Sequence, residues 1–157
     1  KVMPPDTREK KVILMYLQHM SEKVGARLRK HDLRSSAFFI GLKSKHGWIG
    51  SKMKLAYSIN DGTKIMKLGQ KMIQYKWCGE GIHQIQVTAL NPENSDQQID
   101  FLEQGEHASI AVKNRVIDLI NDKYGNLTIA PSNLIHRSSM PDVIAPAWKP
   151  SGHRQTI

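Results

Sequence analysis

The residues with the clearest chemical potential are four lysines set into apolar stretches. In SKMKLAYS (51–58) lysine alternates with bulky apolar residues, and SSAFFIGLKSK (35–45) alternates in the same way and ends on lysines. Side chains on a strand point to opposite faces in turn. Met53, Leu55 and Tyr57 then share one face and Lys52 and Lys54 the other, while Phe38, Ile40 and Leu42 oppose Phe39, Gly41, Lys43 and Lys45. Between the runs lies HGW (46–48), a glycine-containing connection of hairpin length. Pairing the runs gathers Lys43, Lys45, Lys52 and Lys54 on one sheet face. Like charges on cross-strand neighbours repel, so such a face is more easily explained if something anionic lies against it. The alternative is a solvated outer face whose lysines protect a sheet edge from aggregation.

Other reactive residue types form no comparable pattern. Asp118 and Asp122 lie four apart on a helix face without a third ligand nearby, which reads as solvent-facing helix charge. The seven histidines have neither HExxH nor Cys/His spacing, and P-loop, GxGxxG and GxSxG patterns are missing. Cys78 is the single cysteine, which rules out an internal disulfide framework, and beside Trp77 it is expected to be a small packing residue. Taken alone, this stretch lacks the parts of a catalyst and of a metal site.

At 157 residues, 39% hydrophobic and 24% charged, the chain fits one domain with a tail. No apolar run is long enough to span a bilayer and no signal-peptide pattern is visible, so a cytoplasmic protein without a membrane partner is expected. The net charge of +9 is unevenly spread: residues 1–59 hold 13 Lys/Arg against 4 Asp/Glu, and residues 60–157 hold 10 against 10. A basic surface of that kind points to a polyanion, either nucleic acid or an anionic membrane. The chain starts at Lys1 in what reads as the middle of a strand, as expected for a piece of a longer protein.

The elements that must position the lysines follow from periodicity. PPDTREKK (4–11) reads as a helix start with Asp6 or Thr7 as N-cap and Glu9 in the first turn. Ile13, Leu17, Met20, Val24 and Leu28 then make an amphipathic stripe reaching about His31. Arg27, Arg29 and Lys30 suit the negative end of that helix and could also extend the cationic surface. After the hairpin, Asp61 can cap a helix with Ile65, Leu68, Met72 and Tyr75 in its stripe, ending near Trp77. IHQIQVTAL (82–90) alternates again, as a half-buried strand. Residues 91–106 contain five acids and no Lys or Arg, and read as an exposed loop. A third helix is expected at about 108–124 with Val112, Val116, Leu119 and Ile120 inward, closed by Gly125, followed by a short strand NLTIA (126–130) and an extended tail. The fold class is therefore α+β: a small antiparallel or mixed sheet with helices on one face, plus a C-terminal helix and tail.

Read with its actual residues, this order resembles the little-finger (polymerase-associated) domain of Y-family translesion DNA polymerases, the UmuC/DinB-like group. The stretches that carry the resemblance are VGARLRKH (24–31), FFIGLKSKHGWIGSKMKLAYSINDG (38–62), KWCGEGIHQIQVTALNP (76–92), QQIDFL (97–102) and VIDLINDKYGNLTIAPSNLI (116–135). The likeness runs from about residue 3 to 135, and the end SGHRQTI is similar to the ends of some bacterial members. It implies a little-finger domain over 1–135, with the acidic loop 91–106 and a tail at 136–157, in a reversed ferredoxin-like topology. It further implies that the open sheet face grips duplex primer-template DNA through Lys43, Lys45, Lys52 and Lys54, supplemented by Arg29, Lys30, His83 and Gln84. The parent would be a DNA-directed DNA polymerase, a nucleotidyltransferase working in damage tolerance. Its Mg²⁺-binding carboxylates would lie in a palm domain outside this chain, leaving this stretch without a cofactor. In two respects the sequence departs from many members: only KVM is left of a strand before the long helix, and His83 and Gln84 stand where basic residues are common.

QIDFL, residues Gln98, Ile99, Asp100, Phe101 and Leu102, is similar to the Gln-x-x-Leu-Phe-type peptide that docks bacterial polymerases on the sliding clamp, with its last two apolar residues in swapped order. The other reading is that Ile99, Phe101 and Leu102 fold back on their own domain. Outside the polymerase resemblance, a free-standing RNA-binding module or a protein-interaction domain would also use one basic face. RNA binders of this kind stack bases on aromatic residues of the open sheet, and here that face offers mainly Phe39.

Overall fold

The alternating residues become a long antiparallel hairpin, β2 (Leu33–Ser44) and β3 (Gly47–Ile59), turning at Lys45 and His46. The computed structural model describes residues 1–95 and 104–134. Ser44 Oγ accepts the His46 N–H at 3.1 Å, and Gly47 takes a φ of 127°, open to glycine and strained for other residues. That turn sets Lys43 opposite Trp48, Phe39 opposite Lys52 and Ala37 opposite Lys54.

On the other side of β2 lies β4 (Ile82–Leu90), and beyond it β1 (Val2–Thr7), so the sheet runs β1-β4-β2-β3 with every neighbour antiparallel. β1 corrects the expectation for 4–11. Pro4 and Pro5 belong to an edge strand, where a missing N–H leaves no central ladder bond unmade. The candidate caps are used elsewhere: Thr7 Oγ1 donates to the Pro4 carbonyl at 2.7 Å, and both Asp6 oxygens accept from Arg8 at 3.2 Å. Helix α1 (Lys10–Lys30) accordingly starts later, with Glu9 as an N-cap whose side chain makes no capping bond.

Helix α1 and helix α2 (Gly62–Lys76) cover one face of the sheet. Asp61 caps α2 as expected, its Oδ1 accepting Lys64 N–H at 2.8 Å. Phe38, Ile40 and Leu42 of β2 are fully buried against Ile13 and Leu17 of α1 and Ile65 of α2. Fully burying such side chains stabilises by roughly 1.5–3 kcal/mol each. Met53 and Leu55 pack on this core from β3, whereas Tyr57, expected beside them, is exposed with the Lys64 ammonium over its ring. Its divergence follows the register break after Lys54, where β3 carries five steps against two in β2. Tyr75 is likewise exposed, and Ile73 is buried at the end of α2 instead. Cys78 is exposed rather than packed.

Residues 91–106 are not loop throughout. β5 (Glu93–Asn94) pairs with Leu33 and Arg34 of β2, and helix α3 (Gln104–Tyr124) starts earlier than expected. α3 is also turned differently. Val112, Val116 and Leu119 are 66%, 49% and 62% exposed, while Asn114 is buried and donates to Asp61 Oδ2 at 2.9 Å. Asp118, expected to face solvent, receives both Nε and Nη2 of Arg29 at 2.6 and 2.7 Å. The i, i+4, i+7 spacing identified an amphipathic helix, and polar docking decided which face turned inward. Gly125 closes α3 with a φ of 109°. Residues 126–130 form turns instead of a strand, because the Asn121 side chain takes the place of a strand partner: it accepts Ile129 N–H at 2.8 Å and donates to the Ile129 carbonyl at 3.1 Å. A short 3-10 turn, Ser132–Leu134, follows. The segment 98–102 and the tail 136–157 lie outside the described residues.

Gly25 lies where α1 passes close against the start of α2. A Cβ there would stand 2.8 Å from Gly62 N and 3.0 Å from the Asn60 carbonyl oxygen. Gly25→Ala gains about 1 kcal/mol of helix propensity, but overpacking against backbone atoms that cannot rotate away costs about 1–3 kcal/mol. The variant is expected to be less stable than wild type in urea denaturation despite the better helix former.

Candidate functional site

The sheet face turned away from α1 and α2 is built in rows across β3, β2 and β4. Register places Lys54, Ala37 and Leu90 in one row, then Lys52, Phe39 and Thr88, then Gly50, Gly41 and Gln86, then Trp48, Lys43 and Gln84. None of these twelve residues is acidic. Lys52 and Lys54 are exposed and stand two residues apart, about 6.8 Å along an antiparallel strand. Among the described residues neither they nor Lys43 has an ion-pair partner.

Three of the four strand-derived candidates therefore share the face, and Lys45 does not: it occupies the hairpin turn, where it is exposed. The register also removes the expected lysine-to-lysine repulsion, since each lysine stands across from an aromatic or small residue. The face is cationic without cross-strand frustration.

The remaining candidates are dispersed. Gln84 stands in the Lys43 row, while His83 sits at the register shift between Lys43 and Ser44, half-buried. Arg29 is committed to Asp118 and, through Nη1, to the Asn60 carbonyl at 2.7 Å. It is a strut between α1, α3 and the end of β3. Lys30 belongs to the helical layer too, lining a groove of about 1010 Å³ between α1 and α3. Among the described residues no three His, Cys, Asp or Glu side chains converge to hold a metal ion. No helix among them is long and apolar enough to cross a membrane.

Three residues of the face were not named as site candidates from the sequence. Trp48, assigned to the connection by its HGW context, lies inside β3 on the open face, with the Lys43 Nζ 5.8 Å from its ring centroid. Gln86 and Thr88 complete the β4 side of the surface and are joined by a 3.1 Å hydrogen bond. The signal for Trp48 was present in the spacing: it falls an even number of residues before Lys52.

A family model described as the impB/mucB/samB family C-terminal domain matches residues 1–101, from β1 through β5, and so includes the whole open face. The chain belongs to that family. It is similar to DNA polymerase IV of Bacillus anthracis, 32% identical over 124 residues that make up 76% of this chain and 30% of the relative. DNA polymerase IV of Bacillus cereus (strain ZK / E33L) is 31% identical over 124 residues, with the same shares. The chain spans about 30% of the length of these curated relatives. This C-terminal domain of the Y-family class thus has an all-antiparallel four-strand face, and α3 extends it beyond the matched residues.

Behind the face, the domain holds an electrostatic network joining α3 to the rest. Glu22 accepts a hydrogen bond from Gln18 at 2.6 Å. Burial pushes its carboxyl above the ordinary range; the Gln18 bond opposes that shift, nearby Asp61 adds to it, and Arg29 and Lys113 oppose it. A carboxyl that titrates near 4.5 when unfolded and higher when folded binds more protons in the native state, so its ionisation costs stability. The penalty is absent below about 4.5 and grows as pH rises through the folded value. Glu22→Gln is therefore expected to melt above wild type at neutral pH. The two thermal midpoints should converge on acidification.

Proposed function

We propose that this chain is the DNA-binding little-finger domain of a bacterial translesion polymerase, acting in the cytoplasm and holding primer-template duplex against its open sheet face. The observation that carries this reading is the trio Lys43, Lys52 and Lys54, on a helix-free face with no acidic neighbour in its rows. Family membership and the polymerase relatives support it from a separate direction. Lysines on adjacent rows act as point charges toward phosphates and leave base identity unread. Sequence tolerance of that kind is what a polymerase passing damaged template requires. Phosphoryl transfer by Mg²⁺ ions held on carboxylates is assigned by this reading to the part of the parent outside this chain.

The reading extends to Gln98–Leu102 as a sliding-clamp peptide. Its support is the similarity of Gln98, Phe101 and Leu102 to the clamp-docking pattern.

Fluorescence anisotropy of a labelled primer-template duplex across a salt series tests the DNA reading. Each phosphate contact contributes about 0.9 to the slope of log affinity against log salt. The Lys43→Ala, Lys52→Ala, Lys54→Ala variant is expected to bind more weakly at low salt and to lose roughly 2–3 units of slope. Lys45→Ala, altered only in the turn, should change the slope by less than about one unit. An unchanged slope in the triple variant would remove the sheet face as the grip.

A further inference from the structure

We propose that Trp48 and Phe39 form a stacking platform for an unpaired DNA base, so that the hairpin end of the open face takes single-stranded template. The inference rests on the DNA-binding reading and adds a second substrate form to it.

The platform is built on two glycines. Gly41 and Gly50 are directly paired in the two strands, leaving a patch of bare backbone in the middle of the face. A Cβ on Gly41 would meet Phe39 Cε1 and Cζ at 3.0 and 3.1 Å and Trp48 Cε3 at 3.1 Å; a Cβ on Gly50 would meet Phe39 Cζ at 3.1 Å. Phe39 therefore reaches over both glycines and Trp48 over Gly41, into space that a side chain at either position would contest. Trp48 nevertheless remains 44% exposed, so much of its ring is open to an incoming base.

Rings serving only the protein core would face α1 and α2; these face the opposite way, on the same surface as the unpaired lysines. Their surroundings match what a single strand needs. The Lys43 ammonium lies over the Trp48 ring, 5.8 Å from its centroid, and there supplies phosphate neutralisation next to a stacked base. Gln84 and Gln86, in the two rows the aromatics cover, carry amides that can donate to and accept from a base edge. Aromatic faces hold bases regardless of identity, so the platform preserves the sequence tolerance of the lysine rows. The competing role is protective, with the rings merely covering the glycine backbone as aromatic residues do elsewhere in sheets.

The test compares wild type, Trp48→Leu and Trp48→Phe on a short oligothymidylate and on a blunt duplex, with thermal melts alongside. Leucine keeps an apolar cover without a π-face, and phenylalanine keeps a ring. Trp48→Leu is expected to weaken oligothymidylate binding by on the order of tenfold, leaving the blunt duplex affinity near wild type, while Trp48→Phe recovers most of the loss. Equal oligothymidylate affinity in folded Trp48→Leu and wild type overturns the platform. If Trp48→Leu fails to fold, quenching of Trp48 fluorescence by oligothymidylate in a Trp77→Phe, Trp148→Phe protein decides the matter: strong quenching supports stacking, and none refutes it. Wild type that binds the duplex but not oligothymidylate sinks this inference alone. Wild type that binds neither sinks the DNA reading with it.

Discussion

The pairing register of the β2–β3 hairpin is the constraint on which the rest depends. Strand side chains alternate with a period of two, so sliding β3 by one residue would send Lys52 and Lys54 into the core and Met53 and Leu55 into solvent. Two local devices hold the register, the Ser44 hydroxyl bonded to His46 N–H and the positive φ of Gly47. The buried side of β2 then reinforces it, because Phe38, Ile40 and Leu42 have no exposure to give up. A turn of two residues thereby determines the chemistry of a surface several rows long.

Much of this was legible because burial writes itself into alternation. The period-two pattern in 35–58 and 82–90 located three strands and the correct open face for Lys43, Lys52 and Lys54, and Asp61 marked the start of α2. Where the pattern misled, a local competitor was responsible. Thr7 and Asp6 look like helix caps but spend their oxygens on Pro4 and Arg8, leaving the prolines to an edge strand. Trp48 looked like turn material because a glycine precedes it, yet the turn ends at that glycine.

The helix layer shows the limit of periodicity most clearly. An apolar stripe states that a helix has two faces, but not which of them its own domain covers. In α3 the side turned to the domain is held by Asn114 on Asp61 and by the two-pronged Arg29–Asp118 pair, contacts spanning 53 and 89 residues of sequence. Long-range polar partners of this kind leave no repeat for pattern reading to detect. The same pair explains why Arg29, although it lies in the basic half of the chain, is spent on architecture while the strand lysines stay available.

The two edges of the sheet bear on how the domain meets other molecules. β1 ends the sheet on one side with Pro4 and Pro5 and an irregular register, which leaves few regularly spaced donors for an incoming strand. On the other side, β3 places Lys52 and Lys54 along its length, and the Lys76 ammonium bonds the Gly50 carbonyl at 3.0 Å. Strand addition is thus discouraged at both margins. A sheet that resists growing sideways is a poor template for further copies of its own strands. Its broad face can then stay uncovered without the domains zipping to one another edge to edge.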